Sequence, residues 1–377
     1  MKQTEQQNLP ALRFPGFKEA WKTLKVGDLG PVSMCKRIMK DETKPSGDVP
    51  FYKIGTFGRK PDAFIDQETF DRYRERYSFP ENGDILISAA GTIGRLVVYD
   101  GSPSYFQDSN IVWVANREEK VSNSFLLSCY QNVRWTTEDT TIARLYNDNL
   151  RNIDITHPTL PEQRKISEFL GAVDARIAQV TRKKALLANY KKGCIQQLFS
   201  QSIRFKDDQG NDFPDWEEKR LGEVLTIGSG KDYKHLEAGE IPVYGTGGLM
   251  THVDEFLYDG ESVCIGRKGT IDKPALVEGK FWTVDTLFYT HSFKNALPRF
   301  IYAVFQQINW QVHNEASGVP SLSKSTIERL KITLPHPDEQ QKIADFLSAI
   351  DTKIDLVAQE LEQAKTFKKG LLQQMFV

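Results

Sequence analysis

Apolar residues along the chain follow two rhythms, and each rhythm occurs twice. From Pro161 to Phe199, the positions Ile166, Leu170, Val173, Ile177, Val180, Leu187, Cys194 and Leu198 form a seam built on steps of four, three and seven. That is the stripe of a heptad helix. It returns downstream as Ile343, Leu347, Ile350, Ile354, Val357, Leu361, Ala364, Leu371 and Met375. Polar neighbours return with it: Glu162-Gln163 as Glu339-Gln340, Lys191-Lys192-Gly193 as Lys368-Lys369-Gly370, and Gln196-Gln197 as Gln373-Gln374. The offset is 177 residues both from Gln163 to Gln340 and from Phe199 to Phe376, so the segment repeats without insertion, as a rigid element does. Each seam is interrupted at the same register by a lysine, Lys191 or Lys368. At about 1.5 Å per residue each helix spans roughly 55–60 Å. Two helices of matched length and seam in one chain are expected to pack on each other.

The second rhythm is that of short strands. Asp84-Ile-Leu-Ile-Ser88, Leu96-Val-Val-Tyr99 and Ile111-Val-Trp-Val114 read as strands of a first globule, with a Gly91-Thr-Ile-Gly94 turn among them. Ser262-Val-Cys-Ile265, Ala275-Leu-Val277 and Leu287-Phe-Tyr289 read likewise in a second, around Gly269-Thr-Ile271. A helical stretch follows each set, Ser124–Val133 and Pro298–Ile308, and then a strand-like exit, Leu150–Ile153 and Ile327–Leu330. The segment leading in also repeats. Arg13-Phe14 and Trp21 match Arg204-Phe205 and Trp216, and each Trp is expected to anchor a core. Trp21 to Gly91 takes 70 positions and Trp216 to Gly269 takes 53; the first half's surplus lies among Lys40–Pro50 and Phe70–Pro80. The frame is therefore constant while the interiors diverge, as if one task were performed twice on two different objects.

Composition narrows this little. With 377 residues the chain is long enough for two or three domains with real cores. No apolar run approaches the roughly 20 residues of a membrane span, and the polar start Met1–Gln7 does not read as a signal peptide. Cys35, Cys129, Cys194 and Cys264 are scattered, which suits a reduced cytoplasm and gives no metal-ligand spacing. A formal net charge of −1 is not that of a basic nucleic-acid binder, so any DNA contact must come from local clusters.

The ordered pattern resembles the specificity (S) subunit of Type I restriction–modification systems. The residues that carry it are Trp21, Gly83-Asp-Ile-Leu86, Gly91-Thr-Ile-Gly94 and Leu160-Pro-Glu-Gln163, then Trp216, Val243-Tyr-Gly-Thr-Gly-Gly248, Gly269-Thr-Ile271 and Glu339-Gln340. The second half departs at Asp272, where the first has Gly94. The resemblance implies an α/β (α+β) chain of two β-rich target-recognition domains in tandem, joined by two long helices forming an antiparallel coiled coil. The domains are expected at 1–158 and 202–335, with spacer helices at 159–201 and 336–377. It implies that each domain reads one half of a split double-stranded DNA target, with modification (methyltransferase) and restriction subunits as partners. S-adenosylmethionine is then expected in the methyltransferase, with no cofactor and no metal in this chain. Divergent interiors predict an asymmetric target. A repeat-built protein-interaction scaffold is the competing reading.

DNA contacts are expected from basic residues near glycine turns or aromatics. Arg72, Arg74 and Arg76 alternate with Tyr73 and Tyr77 in the first half's insertion, suited to phosphates and base faces, or else to a solvated face paired with Asp71 and Glu75. Arg267-Lys268 precede Gly269-Thr270, where a backbone with no side chain allows close approach and arginine can reach a guanine edge. Thr92 holds the matching place in the first half; Arg59, Lys60 and Lys231 are further candidates. Enzyme motifs fail on spacing. Gly228-Ser-Gly-Lys231 lacks the earlier glycine of a phosphate loop, and Asp232 stands where its Ser/Thr belongs. Pro214–Lys219 is too short for a nuclease metal site, and no Asn/Asp-Pro-Pro-aromatic run is present to hold a flipped base. The chain reads as a non-catalytic subunit.

Overall fold

The computed structural model describes residues 9–133, 135 and 145–376, so the polar Met1–Gln7 stretch lies outside them. The chain divides into two units, Met1–Thr181 with Glu360–Val377, and Arg182–Gln359. The division falls inside both long helices.

Unit 1 begins with β1 (Lys22–Lys25), β2 (Val32–Ser33), β3 (Val49–Tyr52), β4 (Phe64–Ile65) and α1 (Gln67–Arg76). Next come β5 (Ile85–Ser88), β6 (Leu96–Val98), β7 (Tyr105–Phe106), β8 (Ile111–Val114), α2 (Asn123–Asn132), α3 (Asn147–Arg151) and β9 (Asp154–His157). The helix α4 (Leu160–Phe199) then leaves the unit. Its sheets are the antiparallel pair β1-β9, a four-stranded β2-β8-β5-β6 and a three-stranded β4-β3-β7 in which β3 and β7 run parallel.

Unit 2 repeats this plan. It holds β10 (Glu217–Arg220), α5 (Leu221–Val224), β11 (Thr226–Ser229), β12 (Ile241–Gly245), β13 (Gly248–Val253), β14 (Tyr258–Asp259) and β15 (Ser262–Gly266). There follow β16 (Ala275–Val277), β17 (Lys280–Thr283), β18 (Leu287–His291), α6 (Pro298–Gln307), α7 (Lys324–Arg329), β19 (Lys331–Leu334) and α8 (Pro337–Met375). The sheets are β10-β19, β11-β18-β15-β16 and β13-β12-β17-β14, again with one parallel pair, β12 and β17. Where unit 1 carries α1, unit 2 has only the short β14, and α1 accounts for part of the surplus length.

The continuous apolar runs of the central strands follow from burial on both faces. On β8, Val112 and Val114 enter one core while Ile111 and Trp113 enter another. On β5, Ile85 and Ile87 face the first core and Leu86 the second. Successive side chains of a strand point to opposite faces, so both faces must be apolar here. The outer sheets were not legible in the sequence, because their strands are mostly short and broken by proline, glycine and lysine. The strand-like exits are corrected by the structure. Leu150 and Ile327 lie in the helical turns α3 and α7, and the strands come just after them. A single helical turn brings one apolar residue inward, as Leu150 and Ile327 are, fully buried. The true strands, Asp154-Ile-Thr-His157 and Lys331-Ile-Thr-Leu334, are the ones that alternate.

Within each unit, halves of the two long helices run against each other antiparallel. In unit 1, Asp174 meets Lys368 and Arg176 meets Glu360, so partners descend as residues ascend. Ile166 and Leu170 share a core with Leu371 and Met375. In unit 2, Lys191 meets Asp351, and Ile195 and Leu198 share a core with Ile343, Leu347 and Ile350. The seam positions Val180, Val357 and Leu361 are buried, and Val173, Ile177, Leu187 and Ile354 half-buried. At the end of α4, Ile195 and not Cys194 takes the fully buried place. There the helix is covered by the globule as well as by its partner, so its buried face is wider than a seam. The two interrupting lysines are explained by their partners. Lys191 reaches Asp351 at 2.7 Å and Gln306 at 3.3 Å, and Lys368 reaches Asp174 at 2.7 Å and Gln131 at 2.9 Å. Their side chains are only 12% and 16% exposed, so they do not merely solvate a helix face.

The repeated lead-in residues clasp the start of each long helix. Glu162 and Glu339, the third residues of α4 and α8, are wholly buried yet answered by arginine. Arg13 Nε and Nη2 donate to Glu162 at 2.7 and 2.8 Å; Arg204 Nε and Nη2 donate to Glu339 at 3.1 and 2.8 Å. Such forked pairs are among the stronger hydrogen bonds, and a carboxylate in a helix's first turn is favoured by the helix dipole. Gln163 and Gln340 beside them each satisfy three backbone groups. Gln163 accepts from the Ser122 N–H and donates to the Lys120 and Pro158 carbonyls. Gln340 accepts from the Leu297 N–H and donates to those of Asn295 and Pro335. Phe14 packs edge-on against Phe169, and Phe205 against Phe346. Trp21 sits with Phe125 and Phe376, and Trp216 with Phe300 and Phe199. Trp21 is the fully buried anchor expected; Trp216 is half-buried, and its Nε1 donates to Glu339 at 3.1 Å.

Replacing Arg13 by Ala strands a buried carboxylate, and we expect unit 1 to lose about 3–5 kcal/mol in urea unfolding. Adding Glu162→Gln removes the stranded charge and should recover much of that loss. If the single variant unfolds like wild type, the clasp is not what holds α4.

Candidate nucleic-acid interface

The basic residues of unit 2 converge because their backbones share one segment, residues 283–286. The Arg267 and Lys268 N–H groups both donate to the Thr286 carbonyl, at 2.8 and 3.3 Å. The Lys231 N–H donates to the Thr283 carbonyl at 2.9 Å, and its own carbonyl accepts from Trp282 Nε1. The far side of the loop is pinned as well. The Gly269 N–H donates to Pro320, and the Leu322 N–H to Arg267. Gly266 and Gly269 make this loop possible. A Cβ on Gly266 would lie 2.0 Å from the Thr270 carbonyl oxygen, and Gly269 holds a φ of +92°, a region costly for residues with a side chain. A Cβ on Gly269 would lie 3.8 Å from Thr246 Oγ1 in the Gly245–Gly248 turn, which places that turn beside the loop. Thr270 is half-buried; Lys231, Arg267 and Lys268 are exposed.

The Arg267 guanidinium lies 5.9 Å from the Phe288 ring centroid, a cation–π arrangement. It makes one long contact to the Asp285 carbonyl, 3.5 Å, and no carboxylate among the described residues pairs with it. It therefore keeps donors to offer. The cleft in front of it, about 520 Å³, is also lined by Lys268, Glu315 and Lys324. Hydrogen bonds from the Thr326 and Ser323 hydroxyls hold the Glu315 carboxyl below its ordinary range. His291 is held below its ordinary range by burial and by the Lys324 charge. Sequence reasoning missed Glu315 and Lys324; their only signal was the Gly/Ser/Pro-containing loop between them, 316–320.

Unit 1 shows the same pairing of loops. A Cβ on Gly91 would lie 3.7 Å from Ile54, so the turn through Arg59 and Lys60 neighbours the loop of Thr92. Arg95 Nη1 donates to the Phe57 carbonyl at 2.8 Å and fastens the two together. Arg59, Lys60 and Thr92 are exposed. The residues of α1 point their contacts elsewhere. Arg72 pairs with Glu42 at 3.3 Å, and the Tyr73 hydroxyl donates to the same carboxylate. The Tyr73 ring stands edge-on to Tyr105, and Arg74 lies over Phe70 and Phe79. These bonds tie α1 to the outer core through Glu42, not through the Asp71 and Glu75 pairing considered above; Asp71 accepts from Gln67. Arg72, Arg74 and Arg76 remain exposed on its outer face.

Comparison with known proteins bears on what these loops serve. Residues 18–189 and 214–366 match the family model described as the Type I restriction modification DNA specificity domain. A Haemophilus influenzae protein designated a type I restriction enzyme specificity subunit is 53% identical over 161 residues; the match spans 42% of this chain and 42% of that protein's length. The type I restriction enzyme MjaVIII specificity subunit of Methanocaldococcus jannaschii is 27% identical over 339 residues, covering 77% of this chain and 74% of its own. In fold, the chain is similar to the crystal structure of the Type-I restriction-modification system S subunit from M. genitalium. The TM-score is 0.66 at 18% identity, over 98% of this chain and 99% of that one.

Gly266→Ala should force the Arg267–Thr270 loop from its place, costing about 1–3 kcal/mol as an overpacked site does. Thermal unfolding read from unit 2's tryptophans checks this; an unchanged melting temperature would show that the loop is not locked as described.

Proposed function

Because the chain belongs to the family of Type I restriction modification DNA specificity domains and carries two of them in tandem, we propose that unit 1 and unit 2 each read one half of a split, asymmetric DNA target. One observation carries the reading. Both units set a polar turn beside a glycine-containing loop on the same clasped frame, with different side chains there: Arg59, Lys60 and Thr92 in one, Thr246, Arg267 and Lys268 in the other, with Lys231 on a neighbouring segment. Constant frames with unlike tips suit two half-sites of unlike sequence. Phosphate contacts from lysine and arginine set register, and base edges are read by the best-oriented donors.

In this reading the chain is the specificity subunit and does no chemistry of its own. Modification subunits dock on it and carry the S-adenosylmethionine, and restriction subunits join them. A target base flipped from the duplex enters a partner's pocket. The α1 arginines add phosphate contacts peculiar to the first half-site. The complex works in the cytoplasm, and among the described residues no helix is long and apolar enough to cross a membrane. The two long helices act as the spacer between half-sites, which on B-DNA lie about one turn, roughly 34 Å, apart.

Exchanging residues 30–149 for those of a relative should change one half-site of the methylation pattern and leave the other intact; both changing together would refute two independent readers. Affinity for the target should also fall steeply between 50 and 200 mM salt, as about six phosphate contacts would require; a flat response would favour a protein scaffold.

A further inference from the structure

The cleft of unit 2 contains a combination that phosphate binding does not explain. Three cationic side chains, Arg267, Lys268 and Lys324, share it with one carboxylate, Glu315, and no ion pair among the described residues joins any of them to it. A carboxylate facing a duplex is repelled by phosphates, so a site built only for backbone contact would omit it. Glu315 is instead built in. Its Oε1 accepts from the Ser323 hydroxyl at 2.7 Å and from the Thr326 hydroxyl, and its N–H donates to the Ser321 carbonyl at 3.0 Å. Both hydroxyls engage Oε1, and with the Ser323 backbone N–H and the Arg329 charge they hold the carboxylate in its ionised form.

Arg267 is fixed with equal care. Its backbone is pinned on two sides, and its guanidinium rests on Phe288. The two residues are joined through one intervening backbone segment: Lys268 bridges to Ser321, and Ser321 receives the Glu315 N–H. With about 4.8 Å between neighbouring extended segments, the two backbones lie about 10 Å apart. Side chains as long as arginine and glutamate can converge across that distance on the two bases of a single pair. A G·C pair offers, on one major-groove edge, the O6 and N7 acceptors of guanine and the N4 amino donor of cytosine. Arginine matches the first and a carboxylate the second.

Resting on the reading of unit 2 as a DNA reader, we propose that this cleft specifies one G·C base pair, Arg267 donating to guanine O6 and N7 and Glu315 accepting from cytosine N4. Lys268 and Lys324 hold the flanking phosphates. An A·T pair sets the adenine N6 amino group against Arg267 and thymine O4 against Glu315, like against like; reversed as T·A, it offers Arg267 one acceptor, O4, where guanine offers two.

The test is selection from a randomised duplex pool by the full chain in complex with its methyltransferase partner, for wild type, Arg267→Ala and Glu315→Gln. The expected result is a G·C pair within one half-site of the wild-type target. Preference at that pair should fall about tenfold or more in Arg267→Ala and fall also in Glu315→Gln, with the other half-site unchanged. Uniform loss of affinity in Arg267→Ala with preference intact would make Arg267 a phosphate contact and overturn the proposal. Relaxation of the two variants at different base pairs would overturn the shared-pair assignment. If the wild-type complex selects no sequence at all, the DNA-reading function itself fails, which differs from either outcome. Both side chains are exposed and outside the core, and melting curves confirm that the variants stay folded.

Discussion

Two buried carboxylates hold the architecture together. Glu162 and Glu339 are removed from water where each long helix starts, and an unpaired charge there would be prohibitive. Arg13 and Arg204, from the segments that lead into each half, supply the answering charge in a forked geometry. The arginine is distant in sequence and the glutamate sits in the first helical turn, so the pair fixes where each globule's first segment meets its helix. Gln163 and Gln340 then stitch that turn to the loops around it. The seam lysines act by the same logic farther along, each one half-buried and paired to an aspartate of the opposite helix. Polar residues in these places add little net stability, but they leave a single register fully satisfied.

From this constraint follows a division of labour. Whatever must be the same in both halves is set by buried polar pairs and by aromatic contacts such as Phe14 on Phe169 and Phe205 on Phe346. Whatever may differ lies at the tips of loops whose backbones are tied down while their side chains are free. Arg267 is the clearest case: four backbone hydrogen bonds along Arg267–Gly269, an aromatic platform, and a guanidinium that no carboxylate among the described residues pairs with. Such a residue is preorganised, which lowers the cost of ordering it on a ligand.

The frame was legible in the sequence because duplication exposes it. Residues kept at a constant offset, Glu162 with Glu339 and Lys191 with Lys368, marked positions under constraint before any role could be given to them. Their partners could not be read, since Arg13 and Asp351 are about 150 residues away from the groups they answer. The central strands were legible as continuous apolar runs; the outer sheets were not, because their strands, two to six residues long, are broken by proline, glycine and lysine. Leu150–Ile153 misled for a related reason, since a lone helical turn and a short strand place apolar residues at similar intervals. Candidate contacts fared unevenly. A glycine turn after a buried strand located Arg267, whereas Glu315 lies in an irregular loop that is brought to Arg267 by Leu322 on Arg267 and Ser321 on Lys268, contacts distant in sequence. In α1, Arg72 and Tyr73 proved to be held by Glu42, a residue far from them in the chain.

In the proposed function the paired helices are the spacer between two half-site readers. The most direct test inserts seven residues at the same register of both α4 and α8, which preserves the seam, and then maps the sites methylated by the assembled complex. The account predicts the same two half-sites separated by a longer gap. Unchanged half-sites at an unchanged gap would contradict it.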